Sequence, residues 1–210
     1  FRMRSDMYIT KPAYYDTFRC LAGVCPDSCC QEWDIQVDDA SAAFYRSLPG
    51  PLGDRLRQVL REEDGETVMS ILQGRCPMWQ EDGLCRIQAE LGEAALCQTC
   101  RQFPRLTHDY GDFVELGLEL SCPEAARLIL TSPQSQPVIQ ELPGGTEGDY
   151  DREAMDTLKR TRRTALSLLD LPGYSMGQRL CLLLLYGCQA QQELDLGEEP
   201  PFDPQAAMET

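Results

Sequence analysis

The sequence has one histidine in 210 residues, His108, and that scarcity removes several chemistries at once. A zinc site built from Cys/His knuckles needs more imidazole than this, and a histidine acting as a base needs a recognisable context. "RLTHDYGD" around His108 supplies no such context and reads as a loop sooner than as the seat of a base. Long apolar runs are also missing. The longest, "LCLLLLY" at 180 to 186, is far short of the ~20 residues of a membrane span and reads as a buried helix segment. Positive charge is sparse: 19 Lys and Arg stand against 34 Asp and Glu, a net charge of −15. With no basic stripe to offset it, that balance argues against nucleic acid and suits an acidic surface or a lysine-presenting partner. The first residues, "FRMRSDMYIT", are charged where an export signal would be apolar, so a cytoplasmic protein with no membrane association is expected. No strand–GxGxG–helix stretch marks a Rossmann-type cofactor site. The C-x₃-C-x₂-C spacing of a radical enzyme is absent too, since after Cys25 and Cys29 its third position falls on Glu32.

What the chain has is cysteine. Of eleven, nine lie between Cys20 and Cys122: Cys20, Cys25, Cys29, Cys30, Cys76, Cys85, Cys97, Cys100 and Cys122. Cys181 and Cys188, seven apart in a helical pattern, read as buried structural residues on one apolar face. A disulfide framework fits poorly, because the count is odd, no export signal is seen, and vicinal Cys29–Cys30 bridge only with strain. Zinc commonly uses two knuckles, and this chain has one C-x-x-C, Cys97 to Cys100, to combine with two thiols of the first group. An iron–sulfur cluster tolerates irregular spacing. Nine thiols exceed one four-ligand site, and the residues alone leave zinc and iron–sulfur open.

The expected fold is mostly α: a cysteine-rich metal-binding domain over 8–131 with short β-strands, a linker or loop over 132–149, and an αα-hairpin over 150–196. The hairpin reads as the start of a further half that this sequence cuts short. Helical periodicity covers "DDASAAFYRSL" and "PLGDRLRQVLREE", divided at "PGP". Strands are expected near 67–72 and 113–120, a tight turn at Asp82–Gly83, short helices broken at Gly92, and a helix opening at Pro123. "SPQSQPVIQELPGGTEGD" has linker composition, and two long amphipathic segments follow, joined at "PGY".

Three stretches together, "YYDTFRCLAGVCPDSCCQEWDI", "GRCPMWQEDGLCRIQAELGEAALCQTCRQFPR" and "YGDFVELGLELSCPEAARLIL", resemble the flagellin lysine N-methylases. That family lies within the CxxCxxCC group of zinc- or iron-chelating cysteine-cluster proteins. The resemblance runs over about residues 8 to 131. It rests on C-C-x-x-W, C-P-x-W…D-G-L-C, C-x-x-C-R-x-F-P-R and S-C-P-E-A-A-R. It implies methyl transfer from S-adenosylmethionine to lysines of a flagellin-like protein, with an iron–sulfur cluster, 4Fe–4S before zinc, on the nine cysteines. The first spacing departs from the group's pattern, being C-x₄-C-x₃-C-C, which sets Cys20 and Cys25 apart from Cys29 and Cys30. A non-catalytic zinc- or iron-binding module is the alternative.

For the cofactor, Trp33 and Tyr15 beside the first cysteines offer aromatic faces to a sulfonium, and Arg101 and Arg105 offer donors to its carboxylate or to cluster sulfurs. Each is equally at home in a core or an ion pair. No catalytic base is identified. His108, Glu115 and Glu119 are the titratable residues considered, and a solvated surface accounts for them as well. The run "KRTRR" at 159–163 reads as a solvated helix face.

Overall fold

A computed structural model describes residues 5–31, 33–133, 137–196 and 202–208, with the side chains of 5, 196 and 208 left aside. The chain divides after Gly148 into two compact units.

The first unit holds two sheets, and these overturn the mostly α expectation. One sheet has four strands in the order β5–β6–β1–β7, from β1 (Ser5–Lys11), β5 (Arg105–Asp109), β6 (Phe113–Leu118) and β7 (Val138–Gly145). β1 runs parallel to β6 and antiparallel to β7, and β5 is antiparallel to β6. The second sheet is antiparallel, β2–β4–β3, from β2 (Ile35–Gln36), β3 (Leu60–Glu63) and β4 (Glu66–Met69). β7 lies inside the segment read as linker. Its residues face solvent almost throughout, so no apolar alternation announces it, and its order comes from pairing along the whole of β1. β5 is fully exposed and equally silent in sequence.

The helices form where local signals place them. Asp38 caps α1 (Asp39–Ser47) by accepting the Ser41 N–H, and Ala42 and Tyr45 point inward. α2 (Gly50–Val59) buries Leu52, Leu56 and Val59 at helical spacing. α3 (Arg86–Leu91) stops at Gly92, whose φ of +86° suits glycine. α4 (Gln98–Gln102) follows, and then the chain passes a cis Phe103–Pro104 bond into β5. α5 (Pro123–Thr131) opens with proline in its first turn. One core gathers Ile35, Val37, Tyr45, Leu56, Met69, Met78 and Ile87 around the second sheet. A second gathers Phe18, Leu118, Ala125 and Leu128.

The second unit contains α6 (Arg152–Leu169), α7 (Met176–Leu196) and the short α8 (Pro204–Met208). Arg179 of α7 donates to Leu169 O and Tyr174 O, which ties the end of α6, and Arg160 pairs with Glu193 at 3.1 Å. Arg160 makes this pair while remaining exposed on the helix surface. Two further expectations change here. α7 buries Leu182 and Ala190, while Cys181 and Cys188 are exposed, so the helical cysteine pair is not a buried element. Nor is the leucine run buried as a whole, because Leu184 is 73% exposed. The cause is geometric. Cys181 lies one residue, about 100° of helix, from the buried Leu182 stripe, and Cys188 repeats Cys181's position two turns on. Among the described residues no helix is long and apolar enough to cross a membrane.

Candidate metal centre

All eleven cysteines are free thiols. The nine expected to be ligands separate into a group of six and a group of three, and sequence neighbours part company in doing so.

The six are Cys29, Cys30, Cys76, Cys85, Cys97 and Cys100. Cys30 and Cys76 are joined through the backbone, Cys76 N–H donating to Cys30 O at 2.7 Å, with Gln31 bridged to Arg75 beside them. The Asp82–Gly83 turn brings in Cys85. Gly83, at φ +80°, donates to Gln80 O, Gln80 donates to Leu84 O, and Leu84 N–H is held by Asp82 Oδ1. Cys85 then pairs with Trp79 and leads into α3, with Arg86 N–H on Met78 O at 2.7 Å. Cys97 leads into α4. That helix is tied to the second sheet by Gln98 N–H on Asp38 Oδ2 and by Thr99 Oγ1 on Gln36 O, both 2.8 Å. Asp38 thus caps α1 with one oxygen and fixes the C-x-x-C helix with the other. Those two N–H donors, Gln98 first and then Ser41, hold its carboxyl below the usual range.

Cys76 Sγ donates to Met69 Sδ at 3.7 Å. The thiols of Cys29 and Cys30, of Cys30 and Cys76, and of Cys97 and Cys100 act on one another's proton affinity. Cys29 is raised chiefly by its interaction with Cys30. Cys30, lowered by Cys29 but raised by Cys76 and by burial, ends at about 12. Cys76 is lowered chiefly by Cys30. Cys97 is lowered to about 7 by Cys100, and Cys100 rises correspondingly. Burial raises Cys85, which also feels Cys29 and Cys97. Tyr45 stands against Cys85, Cys97 and Cys100 with its hydroxyl on Ala95 O at 2.8 Å, and burial lifts its own proton affinity. Sequence reasoning missed Tyr45 and Asp38 here. The helical spacing of Ala42 and Tyr45 marks an inward face, and "DDAS" marks a cap, but neither reveals what lies across the interface.

The other three are Cys20, Cys25 and Cys122. Cys122 packs on the second core and feels Cys25 and Cys20, while burial raises its thiol. The cofactor candidates divide likewise. Trp33 donates its indole N–H to Cys29 O at 2.8 Å, with its ring 6.1 Å from that of Phe103, and Arg101 sits on α4 beside Cys100. Tyr15 packs on the second core, and Arg105 lies over the Phe18 ring at 5.1 Å. His108 and Glu115 face each other across β5 and β6, and Glu119 lies past the end of β6.

As they stand, no three His, Cys, Asp or Glu side chains among the described residues are arranged to hold a metal ion. The donor chemistry of the six nevertheless fits a thiophilic centre. Cys76 and Cys97 are buried in one core, Cys30, Cys85 and Cys100 pack against it, and thiolate sulfur is a soft ligand.

A curated relative settles the kinship. The flagellar biosynthetic protein FliU of Salmonella muenchen is 34% identical over 137 residues, which are 62% of this chain and 81% of that protein. The chain belongs to the flagellin lysine N-methylase family. Two further relatives of the family, both named lysine-N-methylase, come from Salmonella typhimurium strain LT2 and Salmonella choleraesuis strain SC-B67. Each is 32% identical over 143 residues. The match takes in 65% of this chain but only 36% of either lysine-N-methylase, so the chain corresponds to about a third of those longer members. No family model and no solved structure matches the chain.

Proposed function

We propose that this chain is the metal-bearing part of a protein-lysine N-methyltransferase. It would act with S-adenosylmethionine on surface lysines of a flagellin-like protein and hold an iron–sulfur cluster through four of the six gathered cysteines. The observation that carries this reading is the 34% identity to FliU across 81% of that protein. The six thiols support the metal part of it, because soft thiolate ligands suit iron–sulfur clusters and zinc alike. When bound, the cluster would supply redox-active iron.

The remaining chemistry falls to the protein. A lysine amine has a pKa near 10.4, so its neutral form costs about 4.6 kcal/mol at pH 7. The site must meet that by desolvating the amine or by accepting its proton. Trp33 and Phe103 offer an apolar wall beside Cys29 for the first route. The net charge of −15 suits approach of a lysine-bearing protein and opposes nucleic acid. Eleven free thiols suit the reducing cytoplasm.

Anaerobically purified protein, incubated with S-adenosylmethionine and flagellin, should raise the mass of flagellin peptides by methyl increments at lysine. Brown colour with broad absorption near ~400 nm should accompany it. A second reading, a non-catalytic zinc- or iron-binding module, is favoured by the 36% span of the lysine-N-methylases. Metal bound with no lysine methylation would establish it.

A further inference from the structure

We propose that the face of the four-stranded sheet opposite the Phe18 core binds lysine side chains of a protein partner, with Tyr8 at its centre and Glu141 and Asp6 as its carboxylates. The proposal rests on the reading of a lysine-bearing protein as partner. It adds where such a protein is held, and it assigns no metal or methyl chemistry to the face.

Side chains alternate along a strand, and residues directly opposite each other across a ladder share a face. Val114 and Leu118 of β6 are buried, and Leu118 packs with Phe18, Ala125 and Leu128, so their side of the sheet carries the core. Phe113 and Glu115 alternate with them and lie on the other side. Register fixes the rest of that second face. Tyr8 stands opposite both Phe113 of β6 and Glu141 of β7, and Thr10 stands opposite Ile139. Asp6, two residues before Tyr8 and opposite Pro143, belongs to the same side.

A solvated sheet face ordinarily reads polar. This one has an aromatic row at its middle. The rings of Tyr110 and Phe113 stack with centroids 4.5 Å apart. Tyr8, the next ring across, is 47% exposed, and its hydroxyl donates to Glu141 Oε1 at 3.5 Å. Ile139, two residues before Glu141, is 67% exposed. Charge is sorted between the two faces. Lys11 and Arg105, the basic residues of the described strands of this sheet, both lie on the core side, Lys11 paired with Asp16 and Arg105 over the Phe18 ring. The second face thus takes rings and carboxylates, but no Lys or Arg, from the described residues of its own strands. A lysine side chain fits that arrangement part by part. Its apolar stem would lie along Ile139 and the Thr10 methyl, and its ammonium would reach the Tyr8 ring between Glu141 and Asp6. A phosphate, or a second copy of this chain with its net charge of −15, would meet like charge there.

The probe is a short fluorescein-labelled peptide alternating lysine and serine. It is titrated into the full chain at about 0.15 M salt, without S-adenosylmethionine, and read by fluorescence anisotropy. Tyr8→Ala should weaken binding about three-fold, and Glu141→Gln and Asp6→Asn about two-fold each. Tyr8→Phe should keep most of the affinity, and the same peptide carrying acetyl-lysine should not bind. Tyr8, Glu141 and Asp6 are exposed, so these variants should keep the thermal midpoint of the unmutated chain. Glu63→Gln, at the exposed end of β3, reports general attraction to an acidic chain and should leave binding unchanged. No binding of the lysine peptide, no weakening by Tyr8→Ala and Glu141→Gln, or equal weakening by Glu63→Gln overturns the proposal. So does a dimer that Tyr8→Ala converts to a monomer, because a second copy then covers the face. Tyr8-dependent binding in protein that methylates no flagellin keeps this face while the methyltransferase reading falls. Methylation with peptide binding indifferent to Tyr8 overturns the face alone.

Discussion

The two units treat cysteine in opposite ways. In the first, Cys76 and Cys97 are buried, and Cys30, Cys85 and Cys100 pack on the same core. In the second, Cys181 and Cys188 stand exposed on α7. Residue type alone therefore says little about role. A thiol held among other thiols shares protons and can exchange them for a metal, whereas one on a solvated helix face is a small side chain open to reagents. The contrast can be tested from both sides.

The largest effect should come from the six-thiol group. In metal-loaded protein, Cys97→Ser or Cys100→Ser should deplete metal and lower stability by at least ~3 kcal/mol, since ligand binding energy is also folding energy. Metal per chain and the thermal midpoint read this directly, and unchanged values would remove the six from the metal site.

Packing around those thiols comes next. Tyr45 is wholly buried, so Tyr45→Ala should cost about 3–5 kcal/mol in denaturant unfolding. Tyr45→Phe should cost about 1–2 kcal/mol, because it strands only the Ala95 carbonyl. Equal losses from the two variants would mean that the hydroxyl, not the ring, carries the site.

Asp38 tests how the C-x-x-C helix is fastened. Asp38→Ala should cost about 1 kcal/mol through the lost cap. The folded protein lowers the Asp38 pKa, so its contribution is present above the unfolded value near ~3.9 and fades as pH falls through the lower folded value. The stability gap between wild type and Asp38→Ala should therefore close only under strong acid. A gap that closes near neutrality would point to another group.

The smallest effect belongs to the second unit. Cys181→Ser and Cys188→Ser should each change stability by less than ~0.5 kcal/mol and leave metal content alone. In native protein both should be alkylated well before Cys76 or Cys97. Slow alkylation of the helical pair would erase the contrast between the units.

Much of the local structure was legible beforehand. Asp82–Gly83 marked the turn that delivers Cys85, Gly92 marked the end of α3, and Pro123 marked the start of α5. Each is a short-range rule in which one residue's backbone preference decides the outcome. β5 and β7 were illegible because their residues face water, and a strand without an apolar face leaves no periodic trace. The division of the nine cysteines was illegible for a different reason. Cys25 and Cys29 are four residues apart, yet Cys25 acts on the Cys122 thiol and Cys29 on those of Cys30 and Cys85.

By itself, then, the sequence determined the kinship, the abundance of thiols, the acidic charge and the helices and turns whose signals lie within a few residues. Tertiary structure alone decided that the first unit is built on two sheets, which thiols share protons, and which face of α7 is buried. Those outcomes depend on backbone pairing and packing between segments tens of residues apart. Loop-closure entropy grows only slowly with such separations, so no local preference records which partners meet.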